Sequence, residues 1–315
     1  MVRELVVLGS ASQVPTRRRN HNGYLLRWNG HGVLFDPGEG TQRQLLLAGV
    51  APSAVTAICI THFHGDHCLG LPGVLQRLAL DGVERPVPIV FPAAGREYFD
   101  RLRHASSFDD TLDVRPLPLE APSDGSTVPV PLDLGGGLCL EVAALAHRIP
   151  TVGFRLVEPA GRTMVPQRLA AAGVSGPDIG RLERTGAVRV GGRDVRVQDV
   201  SIERPGQRAA VVMDTGWCAG ALALADHADL LVCEATFTTA DADVAARSGH
   251  LTAAQAGRLA SEAGATHLLL AHFSQRYPDV APLVAEARAA FAGRITAAED
   301  LQRVALPARR RAIAR

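Results

Sequence analysis

Lysine is absent from this chain; all 33 basic residues are arginine. Every permanent side-chain cation is therefore a guanidinium, a group suited to bidentate contact with phosphate. Aromatic residues make up only 4% against 47% apolar residues overall, so aliphatic side chains must build the core. The five cysteines, at 59, 68, 139, 218 and 233, include no C-x-x-C pair and are odd in number. That excludes a disulfide frame and reads as buried or free thiols in a reducing compartment. Met1–Gly9 lacks a charged stretch followed by a long apolar one, and no apolar run approaches a membrane span. The expectation is a cytoplasmic chain of 315 residues with no membrane contact, built as one large or two modest domains.

What the chain does have is concentrated in Thr61-His62-Phe63-His64-Gly65-Asp66-His67, which follows the apolar run 55–60. Only eleven histidines occur in the whole chain, and three fall here. A strand opening into such a loop aims His62 and His64 at one point by its two-residue period, and a turn at Gly65 aims Asp66 and His67 at a second. Imidazole and carboxylate donors suit Zn²⁺ better than Ca²⁺ or Mg²⁺, and Mn²⁺ or Fe²⁺ can share such ligands. Two adjacent points make a two-metal hydrolytic centre, with a water between the ions as nucleophile. The remaining ligands are expected at other strand ends. His147 follows 138–146, Asp214 follows 209–213 and His272 follows 267–271. His62, His64 and His147 would serve one ion, and Asp66, His67 and His272 the other. Asp214 would bridge, one carboxylate oxygen for each.

The spacing predicts strands at 4–8, 24–27, 32–35, 55–60, 86–91, 138–146, 209–213, 230–233 and 267–271. Helices are expected at 42–48, 69–80, 95–105, 219–225 and 253–263. Strands that end in polar residues, each followed by a helix, indicate layered α/β. The two halves share this rhythm without a sequence repeat strong enough to assert duplication. Between them, residues 155–208 hold no aromatic side chain and ten arginines against six acids. Such a stretch is expected to bury little of its own and to protrude as an arm whose arginines meet a polyanion. A second basic run, at 309–311, reads as a solubilising tail.

Thr61–His67 with Gly70-Leu71-Pro72-Gly73 resembles the metallo-β-lactamase superfamily and, within it, the ribonuclease Z family of endonucleases that trim tRNA precursors on the 3′ side. The similarity continues through Pro15-Thr16-Arg17-Arg18-Arg19-Asn20, Asp36-Pro37-Gly38-Glu39-Gly40-Thr41-Gln42 and His147–Arg155. Glu234-Ala235-Thr236-Phe237, His250-Leu251-Thr252 and His272-Phe273-Ser274-Gln275-Arg276-Tyr277 follow in the family's order. The resemblance implies an αβ/βα sandwich of two mixed sheets flanked by helices, one domain over residues 1–315. It implies a flexible arm at 155–208, with Gly176 and Pro177 in its Gly-Pro segment, that holds the tRNA body. Two Zn²⁺ per subunit, precursor tRNA as substrate and a homodimer are likewise implied. Among the ligands Asp66 is expected to be essential to catalysis, and beyond them His250 is expected to donate a proton to the leaving 3′ oxygen. Glu234 would fix the His250 tautomer, Asp36 would orient a ligand histidine, and Ser274 and Arg276 would meet the scissile phosphate. The competing readings are a metal-dependent phosphodiesterase of the same fold acting on small substrates, and a catalytically silent RNA-binding protein.

Overall fold

Along the first strand, Arg3–Gly9, side chains alternate between two apolar environments. Leu5 and Val7 join a cluster with Val142, Phe154 and Val211, whereas Val6 and Leu8 join Leu45, Leu71, Val74 and Leu78. Both faces of the strand are buried, which is why it reads as a continuous apolar run rather than an alternating one. The structure, a computed structural model, describes residues 2–309. Arg310 and Arg311 of the expected basic tail therefore lie outside the described residues.

Two seven-stranded sheets carry this layering. The first runs in the order Arg303–Ala305, Arg3–Gly9, Gly23–Trp28, His31–Phe35, Ala57–Cys59, Val87–Pro92, Val114–Leu119. The second runs Arg294–Ala297, His267–Ala271, Leu230–Glu234, Arg208–Val212, Thr151–Val157, Cys139–Leu145, Val128–Pro129. Each sheet is antiparallel over one half and parallel over the other. The inner faces pack on one another, with the Phe35 and Phe154 rings 5.9 Å apart. Helices Thr41–Leu47 and Leu71–Leu80 cover the outer face of the first sheet, and Ala219–Ala225, Ala253–Glu262 and Ala281–Ala290 cover the second. The architecture is the αβ/βα sandwich of mixed sheets.

Where the elements depart from expectation, local chemistry explains it. The run 55–60 keeps only Ala57–Cys59 as paired strand. A 3-10 turn at Pro52–Ala54 takes up its start, and the Thr61 N–H leaves the ladder for the Asp36 carboxylate at 2.7 Å. The helix expected from 69 begins at Leu71, after a separate helical turn at Gly65–Cys68 that carries Asp66 and His67. Helix Ala253–Glu262 starts at a capping box, in which Thr252 accepts from the Gln255 N–H and the Gln255 side chain accepts from the Thr252 N–H.

A second compact unit spans residues 158–207 together with the described end of the chain. Its limits lie inside the 155–208 drawn from sequence. Arg155 belongs to strand Thr151–Val157, where its guanidinium holds Glu141 and the Ala223 carbonyl, and Arg208 opens a strand of the second sheet. The expectation that this segment buries little of its own is corrected. Leu169, Val174, Leu182, Val188, Val195 and Val200 form a buried aliphatic cluster. Helices Pro166–Ala171 and Pro177–Thr185 and the hairpin Ala187–Val190 with Arg193–Arg196 surround it. Gly176 precedes the longer helix at φ 54°, a left-handed value that glycine adopts without strain, and Pro177 fills the first helical position, where no N–H is needed. Arg181, Arg184, Arg189, Arg193 and Arg196 are exposed on it.

Candidate metal centre

Strand ends position the donors. Asp36 follows His31–Phe35, His62 and His64 follow Ala57–Cys59, His147 follows Cys139–Leu145, Asp214 follows Arg208–Val212, and His272 follows His267–Ala271. Asp36, Asp214 and His272 have φ of 47°, 40° and 59°. Such left-handed geometry is strained for residues other than glycine, on the order of 1–3 kcal/mol each, and gathers at functional sites. Gly38 shows how tightly the loops meet: a Cβ there would lie 2.2 Å from the Asp66 carbonyl oxygen.

Two donor sets result. In the first, His62 Nε2 lies 2.9 Å from His64 Nδ1, which lies 3.3 Å from His147 Nε2. Asp214 Oδ2 stands 3.5 Å from His62 Nε2 and 3.9 Å from His147 Nε2. In the second, His67 Nε2, His272 Nε2 and Asp66 Oδ2 are 3.2–3.3 Å apart, and Asp214 Oδ1 lies 3.3 and 3.1 Å from the two nitrogens. Donors on a tetrahedral ion with bonds of about 2.0–2.1 Å stand roughly 3.3 Å apart. Both sets approximate that spacing, and Asp214 offers one oxygen to each.

The outer hydrogen bonds fix which ring nitrogen is free. Asp36 accepts from the Thr61 N–H and hydroxyl and from His67 Nδ1, at 2.7, 2.8 and 2.8 Å. Its neighbour Asn22 is held in turn by the Tyr24 hydroxyl. Because the Thr61 hydroxyl is spent on Asp36, its oxygen accepts from His62 Nδ1 at 3.0 Å. The second half repeats the device: the Thr236 hydroxyl donates to Glu234, so its oxygen accepts from His272 Nδ1 at 2.9 Å. His147 Nδ1 donates to the Gly249 carbonyl at 2.8 Å. In all four rings the proton sits on Nδ1 and the Nε2 lone pair faces inward. Lone pairs of His67 and His272 that converge on a carboxylate oxygen repel it unless a cation lies between them. Asp214 Oδ1 is indeed buried without a hydrogen-bond partner. Burial disfavours charge on His67, yet Asp214, Asp66 and Asp36 outweigh it and draw its pKa up. The donor set thus fits divalent metal.

His250 stands beside both sets, its Nε2 3.9 Å from Asp214 Oδ2 and its ring stacked near His272. It groups with Asp214 and His272 at a spacing a metal could also use. Its Nδ1, however, lies 3.1 Å from both oxygens of Glu234. Burial lowers its pKa, but Glu234 and then Asp214 override this and lift it to about 9. With its Nδ1 committed to both Glu234 oxygens, Nε2 is the ring atom that faces Asp214. Glu234 is anchored by the Thr215 N–H at 2.6 Å.

A chamber of about 330 Å³ opens over the centre, lined by His64, Asp66, Asp214, His250, His272 and Ser274, with Arg148 and Arg276 also on its wall. Arg276 leans on Phe237 and pairs with Asp241 at 3.6 Å, an engagement the sequence did not signal. Gly176 and Pro177 belong to the second unit and not to this cluster. Sequence reasoning gave no role to Thr61, Thr236, Asn22 or Arg148. A threonine at a strand end beside a metal-type residue is the one signal that would have found the first two. Cys68 is not a ligand: its thiol donates to the His64 carbonyl, and burial pushes its pKa up to about 12.

Residues 16–154 match the family model for the metallo-beta-lactamase superfamily. A ribonuclease Z of Salinispora arenicola is 55% identical over 98% of this chain and 97% of its own. One from Nocardia farcinica is 55% identical over 98% and 99%. The crystal structure of human tRNase Z, short form, superposes with a TM-score of 0.68 at 25% identity, covering 97% of this chain and 100% of that one. With the paired donor sets between two mixed sheets, these similarities lead to one conclusion: the chain belongs to the ribonuclease Z family of the metallo-β-lactamase superfamily.

Proposed function

We propose that this protein is a zinc-dependent endoribonuclease that removes the 3′ trailer from tRNA precursors, leaving a 3′-hydroxyl on the tRNA and a 5′-phosphate on the trailer. The observation that carries this reading is the pair of donor sets joined by Asp214 in an open chamber, with His250 held against Glu234 beside them. His62, His64, His147 and Asp214 would hold one ion, and Asp66, His67, His272 and Asp214 the other. Imidazole-rich, thiol-free donors favour Zn²⁺, with Mn²⁺ and Fe²⁺ as alternatives. When bound, the ions supply Lewis-acid polarisation of the phosphoryl group and a water acidic enough to react near neutral pH.

The protein's own groups do the rest. His250 Nε2 carries the proton that the departing 3′ oxygen requires, while Glu234 holds the ring by Nδ1 and stabilises its charge. Ser274 lines the chamber where the scissile phosphate would sit, and Arg276 would have to exchange Asp241 for it. The exposed arginines around Pro177–Thr185 would hold the tRNA body by its phosphates. A homodimer, with one subunit's arm serving its partner's centre, completes the reading. Among the described residues no helix is long and apolar enough to cross a membrane.

The test is cleavage of a 3′-extended precursor tRNA by purified protein, with and without chelator, mapping both new ends. A single chelator-sensitive cut after the discriminator base, leaving a 3′-hydroxyl, supports the proposal. Brisk hydrolysis of a small diester without any cut in the precursor refutes it in favour of a small-substrate phosphodiesterase.

A further inference from the structure

We infer that Arg148 is a phosphate-binding residue of this reaction, gripping a non-bridging oxygen of the RNA strand at the wall of the metal chamber. The inference rests on the phosphodiester-cleaving reading above and adds a contact that the motifs did not single out.

The chamber has two arginines on its wall, and their circumstances differ. Arg276 is engaged by Asp241 and laid over the Phe237 ring, so a phosphate reaching it must displace a carboxylate. Arg148 is exposed and, among the described residues, has neither a hydrogen bond nor an ion pair. The acids of the chamber do not supply one: Asp66 and Asp214 face the histidines of the donor sets, and Glu234, behind the wall, faces His250. Phosphate is the anion that an RNA strand brings to such a site, and the planar guanidinium matches two of its oxygens at once.

The backbone that carries Arg148 is fixed although its side chain is not. The Ala146 N–H donates to Thr215 Oγ1 at 3.0 Å, and the Ala146 carbonyl accepts from the Gly216 N–H at 2.7 Å. His147 is tied to the Gly249 carbonyl, and a Cβ on Gly249 would lie 3.0 Å from His147 Nδ1 and 3.6 Å from the Arg148 nitrogen. The residue before Arg148 is itself a donor of the first set. Arg148 is thus held one residue from the centre with an exposed side chain on the chamber wall, an arrangement that can position an anion without disturbing the ligands.

The experiment compares Arg148→Ala, Arg148→Lys and Arg276→Ala with wild type in steady-state cleavage of a 3′-extended precursor tRNA over a range of salt, with metal content measured for each. Arg148→Ala is expected to lower kcat/KM by about 10- to 100-fold, as loss of a charge-assisted hydrogen bond does. Its dependence of log kcat/KM on log salt should flatten by about 0.7–0.9, one phosphate contact. Arg148→Lys should recover part of the loss, Arg276→Ala should lose less, and all should keep wild-type metal content. Unchanged kcat/KM, an unchanged salt slope, or a loss that tracks missing metal would overturn the inference, the last by making Arg148 a support for His147. If wild type hydrolyses bis(4-nitrophenyl) phosphate but leaves the precursor intact, the RNA reading fails separately. Arg148 is then judged on that diester, where a raised KM upholds the contact and an unchanged KM removes it.

Discussion

Replacing Asp36 by Asn tests the idea that hydrogen bonds behind the ligands build the metal centre. The buried carboxylate accepts four bonds, the Thr61 N–H on Oδ1 and the Thr61 hydroxyl, His67 Nδ1 and, at 3.4 Å, Asn22 Nδ2 on Oδ2. An amide has one oxygen. Placed at Oδ2 it keeps three of the bonds but sets its NH₂ against the Thr61 N–H. Placed at Oδ1 it keeps one and turns its NH₂ toward the three groups that donate to Oδ2. The first arrangement is the better, and it leaves two buried donors facing each other at about 1–3 kcal/mol apiece. The metal-free protein should therefore lose about 2–5 kcal/mol, which for a domain of this size lowers Tm by roughly 5–15 °C. Without the anion, His67 Nδ1–H is polarised less and its Nε2 is a poorer donor, so metal affinity should fall about 10- to 100-fold. Thermal melts in chelator and a competitive metal titration measure the two effects separately. Asp36→Asn with wild-type values in both would refute the reasoning, because no satisfied arrangement of an amide exists in that pocket.

Glu234→Gln leaves His250 in place but withdraws the charge that keeps it protonated. Precursor cleavage should fall about 10²- to 10⁴-fold, the range general-acid catalysis supplies; because Glu234 also holds the Thr236 hydroxyl behind His272, the loss is read at saturating metal, where any weakened affinity no longer contributes. Leu182→Ala empties the centre of the small aliphatic cluster in the second unit and should cost about 2–5 kcal/mol there. Limited proteolysis should cut between 158 and 207, and precursor cleavage should drop while small-diester hydrolysis holds; equal loss of both would refute a separate role for that unit. Burial first, and Arg294 second, hold His267 at a pKa of about 4. The folded state then binds fewer protons than the unfolded one between its pKa and about 6.5, so stability should fall by about 2.5 kcal/mol from pH 7.5 to 4.5. Denaturant midpoints for His267→Asn should lack that decline.

The convergence of the seven candidate donors was legible because strand periodicity and strand ends are local properties. Val211 and Val212 predict a strand, and Asp214 stands where it must stop. The left-handed backbone at Asp36, Asp214 and His272 was not legible, since nothing in an Asp or His announces a positive φ that surrounding packing enforces. Thr61 and Thr236 were invisible as relays for a related reason: a threonine at a strand end is ordinary until the carboxylate that captures its hydroxyl is located. The second unit was misread because missing aromatics were taken as a missing core. Val174, Leu182, Val188 and Val195 show that widely spaced aliphatic side chains suffice for a unit of that size. Arg303–Ala305 is too short a strand to stand out from sequence, and it exists because Arg3–Gly9 offers it an open edge.

That last pairing has a bearing on how the protein is made. The edge of the first sheet closes only with residues near the end of the chain, and Asp66 waits for His272, 206 residues later, before its site is whole. At ribosomal rates of about 5–20 residues per second, the early histidine loop is exposed for roughly 10–40 s with half its partners not yet synthesised. The complete donor set is therefore available to an ion only after His272 has been made, and the choice of ion falls to the folded cavity rather than to the histidine loop alone.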